Sequence, residues 1–168
     1  TYGVTRIGSD WTEDSGSKVM ALSNWDDKKY INIYVVKSFD DNMSSAAAYA
    51  TKPGSGSEDY GDYIFCKYYY FGDWNTNNDN GPTNANWTRH TVPHEVGHFF
   101  NLDHPWGGSD SPAEDGNWSI DDGVDVTPPT SRTDGTAVCC PLGQDTCGGS
   151  LDNVQNIMDY SKCAHIFT

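Results

Sequence analysis

The most specific chemistry in the chain is carried by the stretch His94-Glu95-Val96-Gly97-His98-Phe99-Phe100-Asn101-Leu102-Asp103-His104. His94 and His98 stand four residues apart, so on an α-helix they share one face about one turn apart. Two imidazoles so placed suit Zn²⁺, which takes nitrogen ligands in tetrahedral geometry. Glu95, beside the first histidine, is placed to take a proton from an attacking water, which is what makes a His-Glu-x-x-His helix hydrolytic. His104 follows His98 by six residues, and a continuous helix would rotate it off the shared face. The helix must therefore end and the chain turn back. Asn101 stands where that turn is needed, since Asn enters the left-handed conformation more readily than any residue except Gly. Three histidines with no fourth side chain match a catalytic zinc, which keeps one position open, rather than a closed structural site.

The elements that must position these residues are unevenly legible. Thr88 or Thr91 can cap the histidine helix, which then runs to about Asn101. Pro93 fits its first turn if Thr91 is the cap, and costs a hydrogen bond if the helix starts earlier. Ahead of it, residues 30–36 form the clearest strand, with Ile31, Ile33 and Val35 alternating onto one face. Tyr34 and Val36 on the other face predict a central strand covered on both sides. Residues 63–65 predict a second strand. Residues 44–53 read as a short helix or a short extended segment, because Pro53 and the Gly/Ser cluster after it stop any helix early. The first 25 residues read mostly as loop, with a weak strand or turn near Val4–Ile7, and residues 72–87 as irregular loop. Beyond His104 nothing is periodic, and irregular structure is expected.

The chain has 168 residues, enough for one domain with one core. Ten Lys and Arg stand against 24 Asp and Glu, a formal net charge of -14. That excludes nucleic acid as a partner, whose phosphates would be repelled, and disfavours anionic membrane surfaces. No apolar run approaches a membrane span. The acidic surplus is a solvated surface or, in part, a source of oxygen ligands for calcium. The five cysteines, Cys66, Cys139, Cys140, Cys147 and Cys163, lack zinc-ribbon spacing and point to disulfides in an oxidising compartment. Being odd in number, they leave one thiol over or paired elsewhere. Asn-x-Ser/Thr sequons stand at Asn42, Asn86 and Asn117.

Further motifs point to a family. The extended histidine motif is joined downstream by Asn156-Ile157-Met158-Asp159-Tyr160, similar to the methionine turn of the metzincin zinc proteases. The chain resembles the pappalysin-like metzincins, the ulilysin and pregnancy-associated plasma protein A group. Residues 1–6, Thr-Tyr-Gly-Val-Thr-Arg, resemble that group's Thr-x-Gly-Ile-Thr-Arg, and residues 30–35 its Tyr-Leu-Asn-Ile-Trp-Val strand. His94-Glu95-Val96-Gly97-His98 matches letter for letter, and His104-Pro105-Trp106-Gly107-Gly108 is similar to His-Thr-Trp-Gly-Gly. Asp122-Gly123-Val124 and Thr127-Pro128-Pro129 resemble an Asp-x-Val-x-Asp-Thr-Pro stretch. The matches run along the whole chain in order. The departures are Asn101 for a Gly, Val126 for an Asp, and a shorter segment between Met158 and Cys163. The group's catalytic domains also carry a strand-helix-strand unit ahead of the match and a helix after it, so the chain is expected to be part of a longer protein.

The resemblance implies an α/β (α+β) zincin-like metzincin fold: a twisted mixed sheet, the active-site helix, and an irregular C-terminal subdomain with the methionine turn. It implies one catalytic domain over residues 1–168, with an upper part, 1–104, through the zinc helix and a lower part, 105–168. The activity implied is that of a secreted zinc endopeptidase, a monomer acting on protein or peptide substrates. His94, His98 and His104 hold zinc, Glu95 is the general base, and Tyr160 stabilises the oxyanion. Met158 forms an apolar floor under the histidines. Asp122 with the carbonyls of Val124 and Thr127 corresponds to a calcium site, and Ala48, Tyr49 and Ala50 to the edge strand that binds substrate. Cys140 and Cys163 correspond to a disulfide, while Cys147 is left with Cys139 or Cys66 as its mate. Where enzymes of the group that cut before Lys or Arg carry an acidic pair, this chain has Ser161-Lys162, which implies no preference for a cation after the cut. Two other classes are an inactive binding module of the same fold, against which the intact Glu95 argues, and a zinc-stabilised structural domain, against which the open coordination position argues.

Overall fold

The computed structural model describes residues 3–40, 43, 45–72, 85–107, 122–128, 130, 143, 145, 150–161, 164 and 166–167, with side chains in the fourth stretch from residue 89 on. Cys139, Cys140, Cys147, Cys163, Lys162 and the sequons at Asn42 and Asn117 lie outside the described residues. The chain divides into two compact units, Thr1–Phe100 and Asn101–Thr168.

In the first unit the elements run α1 (Ser17–Met20), β1 (Asn32–Val36), β2 (Ala48–Ala50), β3 (Tyr63–Lys67), a 3₁₀ turn at Tyr68–Tyr70 and α2 (Ala85–Phe99). The sheet is mixed, in the order β1-β3-β2. β1 runs parallel to β3, with Tyr34 opposite Phe65, and β2 runs antiparallel to it, with Tyr49 opposite the same residue. The central place of β3 follows from its residues. Ile64, Phe65 and Cys66 are all fully buried, and successive strand residues face opposite ways, so both faces of β3 are covered. On one face Phe65 stacks with Tyr34 and Tyr49 in a core completed by Met20, Val36 and Phe39. On the other, α2 packs against β2 and β3.

Three expectations are corrected here. β1 is not a central strand. Ile31, Ile33 and Val35 remain 38%, 37% and 44% exposed, because β1 lies at the sheet's end and α2 packs on β3 and β2. Its buried residues are Asn32 and Val36, and the Asn32 amide exchanges two hydrogen bonds with the Trp25 backbone, each 2.9 Å. Secondly, residues 4–7 form no strand, while a single turn of helix, α1, stands in the stretch read as loop. Finally, α2 starts at Ala85, so Pro93 lies in its interior rather than its first turn. One backbone hydrogen bond is therefore missing, since proline has no N–H.

In the second unit, among the described residues, irregular structure is held by turns. Asn156 Oδ1 accepts from Met158 N–H at 2.9 Å, and Asp159 Oδ1 accepts from Ser161 N–H at 2.7 Å. Ser161 Oγ donates to the Val154 carbonyl. Ile157 N–H donates to the Ile166 carbonyl at 2.6 Å, and Ile166 N–H to that of Gln155 at 3.0 Å. Short polar side chains thus take over the backbone pairing that a helix or strand would otherwise provide.

Candidate active site

α2 presents His94 and His98 one turn apart, their ring centroids separated by 4.8 Å with the planes at 87°. His94 and Glu95 are buried. The helix closes where the sequence required it. Phe100 N–H donates to the carbonyls of Val96 and Gly97 at 3.1 and 3.0 Å, and Asn101 follows with φ 71°. His104 then supplies the third nitrogen. One ligand atom from each of His94, His98 and His104 lies within 4.8 Å of the others. Tetrahedral zinc with bonds of about 2.0–2.1 Å needs such nitrogens roughly 3.3–3.4 Å apart, a small side-chain adjustment, so the donor set fits zinc.

Glu95 has little water to stabilise its charge. Burial pushes its carboxyl from the ordinary range up to about 8. A divalent cation close by acts in the opposite direction and favours the carboxylate. Behind it on β3, burial and then the charge of Glu95 push the Cys66 thiol up to about 12. Cys66 is a free, buried cysteine, which removes it as the mate of Cys147.

Tyr160 and Met158 follow the Asn156 turn. Met158 is buried. The Tyr160 ring stands 4.9 Å from that of His104 at 69°. Trp106, in the sequence one letter of the His104-Pro105-Trp106-Gly107-Gly108 motif, stacks on the same imidazole at 4.6 Å and 13°. The signal was available in Pro105-Trp106-Gly107, a turn sequence that returns the residue two after the histidine onto its ring.

The other site residues are more scattered. Ala48, Tyr49 and Ala50 are β2, at an end of the sheet. Lys67 N–H donates to the Ala47 carbonyl and Thr51 N–H to that of Tyr63, both at 3.0 Å. Antiparallel pairs alternate, so Tyr49 faces β3, while Ala48 and Ala50 turn their N–H and C=O groups to the open edge. The Tyr49 side chain is committed to the core, with its hydroxyl donating to the Ser15 carbonyl at 2.8 Å. Asp122 Oδ1 accepts from Val124 N–H, and the Val124 carbonyl from Thr127 N–H, each at 2.9 Å.

Comparison with known proteins agrees with this geometry. A family profile described as Pregnancy-associated plasma protein-A matches residues 14–168. An extracellular metalloprotease of Arthroderma otae is 43% identical over 82 residues, covering 46% of this chain and 27% of the relative. One of Sordaria macrospora is 31% identical over 169 residues, covering 96% of this chain and 53% of the relative. Mature mirolysin of Tannerella forsythia, solved in complex with a cleaved peptide, superposes with a TM-score of 0.62 at 22% identity, over 92% of this chain and 57% of that one. The chain thus spans about half the length, or less, of these relatives. The mixed sheet with its histidine-bearing helix is the zincin-like fold that this likeness indicates. With a profile match over all but its first residues, the chain belongs to the pregnancy-associated plasma protein-A family.

Proposed function

We propose that the protein is a secreted zinc endopeptidase in which His94, His98 and His104 hold the metal and Glu95 is the general base. The observation that carries this reading is the approach of three imidazole nitrogens to within 4.8 Å, with a buried glutamate next to the first. Zinc in that position supplies the Lewis acidity that polarises the scissile carbonyl and acidifies a water molecule. The Glu95 carboxylate takes the proton of that water and passes it to the leaving amine. Its burial keeps bulk water from competing for the same oxygens. Tyr160, packed edge-on against His104, donates its phenolic hydrogen to the oxyanion. Buried Met158 is the apolar floor.

An extended peptide adds to the open edge of β2 through the backbone of Ala48 and Ala50, where hydrogen bonds give affinity and pockets for alternate side chains give preference. Secretion is supported by relatives named extracellular metalloproteases. A disulfide joining Cys140 to Cys163 would accord with it. Calcium held by Asp122 with the carbonyls of Val124 and Thr127 is supported by the oxygen chemistry of that loop. The Asp122 carboxylate and the Val124 carbonyl already accept backbone hydrogen bonds there, so such a site would be weak. Lys162 disfavours Lys or Arg after the cut.

The test is casein hydrolysis by the full-length protein before chelation, after chelation and after zinc is restored. The proposal expects activity, its loss and its return. Activity that survives complete removal of metal would refute it.

A further inference from the structure

The geometry points to Trp106 as a positioning residue for the metal site, holding the His104 imidazole by face stacking and favouring its metal-bound form. The inference rests on the zinc reading above. A hydrogen-bonded turn delivers the ring. Gly107 N–H donates to the His104 carbonyl at 2.7 Å, Pro105 is fully buried between them, and Gly107 takes φ 84°, which only glycine adopts at no steric cost. Trp106 is thereby returned over His104, with centroids 4.6 Å apart and planes 13° from parallel. Tyr160 closes the arrangement, edge-on to His104 at 4.9 Å and to Trp106 at 5.0 Å.

Burial alone does not account for tryptophan here. Trp106 is 3% exposed, and among the described residues its indole N–H has no hydrogen-bond partner. A buried donor left in that state is destabilising. Phenylalanine would fill much of the slot without that penalty. What the indole adds is the strongest π face of any side chain. An imidazole that gives its lone pair to Zn²⁺ becomes electron-poor and interacts with such a face more strongly than a neutral one. The contact is therefore worth more with metal bound, and by linkage it tightens the metal. Groups that orient ligating histidines typically change metal affinity 10–100-fold.

The test measures zinc affinity of the full-length protein, by competition with a chromophoric chelator, for wild type, Trp106→Leu and Trp106→Phe, with the melting temperature of each metal-free form as control. We expect Trp106→Leu to bind zinc about 10-fold more weakly or worse, and Trp106→Phe, which keeps a stacked ring, to recover most of the loss. Trp106→Leu binding zinc within about twofold of wild type overturns the inference. A second measurement needs only the phenylalanine variant. Co²⁺ placed in the zinc site quenches tryptophan fluorescence, and at least half of that quench should vanish in Trp106→Phe. A quench that persists unchanged also overturns the inference. Wild type that takes up neither zinc nor Co²⁺ overturns the metal reading itself, which is a distinguishable outcome.

Discussion

Glu95 and Cys66 show how burial sets the chemistry of single residues. The thiol is pushed up to about 12, by burial first and the Glu95 charge second, so it stays protonated and unreactive in the folded protein. Iodoacetamide at pH 8 should label Cys66 only after unfolding; rapid labelling of the native protein would contradict the assignment. The sign for stability follows. Below the ordinary thiol pKa of about 8.5, both states keep the proton and Cys66 has no pH effect. Above it the unfolded chain releases a proton that the folded one retains, so stability falls as pH rises toward 12. For Tyr160, removing the hydroxyl in Tyr160→Phe should lower kcat on the order of 10²-fold with KM little changed, as for loss of one oxyanion donor. An unchanged kcat would make Tyr160 purely structural. At this scale the sequence was most informative, because His94, Glu95, His98 and His104 have types and spacings that few other chemistries require. It was far less direct on Trp106, where Pro105-Trp106-Gly107 signals a turn but the stack on His104 forms only in three dimensions.

Elements were legible in proportion to their local signals. The strands at residues 32–36 and 63–67 were readable from β-branched and aromatic runs. β2 was narrowed to helix or extended chain, and pairing with β3 decided between them. The start of α2 was misjudged because Pro93 imitates a first-turn proline, while residues 85–92 carry no apolar stripe; packing of α2 on the sheet outweighs the lost hydrogen bond. The exposure of Ile33 and Val35 was hidden, since alternation shows which residues share a face but not what lies over it. Two predictions belong here. Asn101→Ala should destabilise the protein by about 1 kcal/mol, because alanine lacks the short amide side chain that eases asparagine into the left-handed region, measured by urea unfolding. No loss, or a gain, would argue against the turn at φ 71°. Proline at Ala48 or Ala50 should raise KM with less effect on kcat, because it removes an edge N–H that the proposed substrate strand would use rather than one paired with β3. Unaltered kinetics in both variants would count against substrate addition at β2.

The chain carries a net charge of -14, and an acidic surface repels acidic substrates at long range while tolerating cationic ones. If Lys162 adjoins the pocket for the residue after the scissile bond, as the proposed specificity requires, its charge acts in the opposite sense there, where like-charge contact can cost on the order of several kcal/mol. Cleavage of a proteome-derived peptide library should therefore show no enrichment of Lys or Arg following the cut. Strong enrichment would mean that Lys162 points away from the substrate. The family and fold class were accessible from motifs spread along the chain. The irregularity beyond His104 was also legible, from the lack of periodicity; the bonds that hold turns such as residues 156–161 were not, because they run from side chain to backbone and have no periodicity to read.

The central claim is that a zinc site and a buried glutamate together hydrolyse peptides, and one comparison isolates it. Zinc content and peptide hydrolysis should be measured side by side for full-length wild type and Glu95→Gln. The account predicts about one zinc per chain in both, because all three histidines remain, with hydrolysis by wild type alone. Hydrolysis by Glu95→Gln at a rate close to wild type would contradict it.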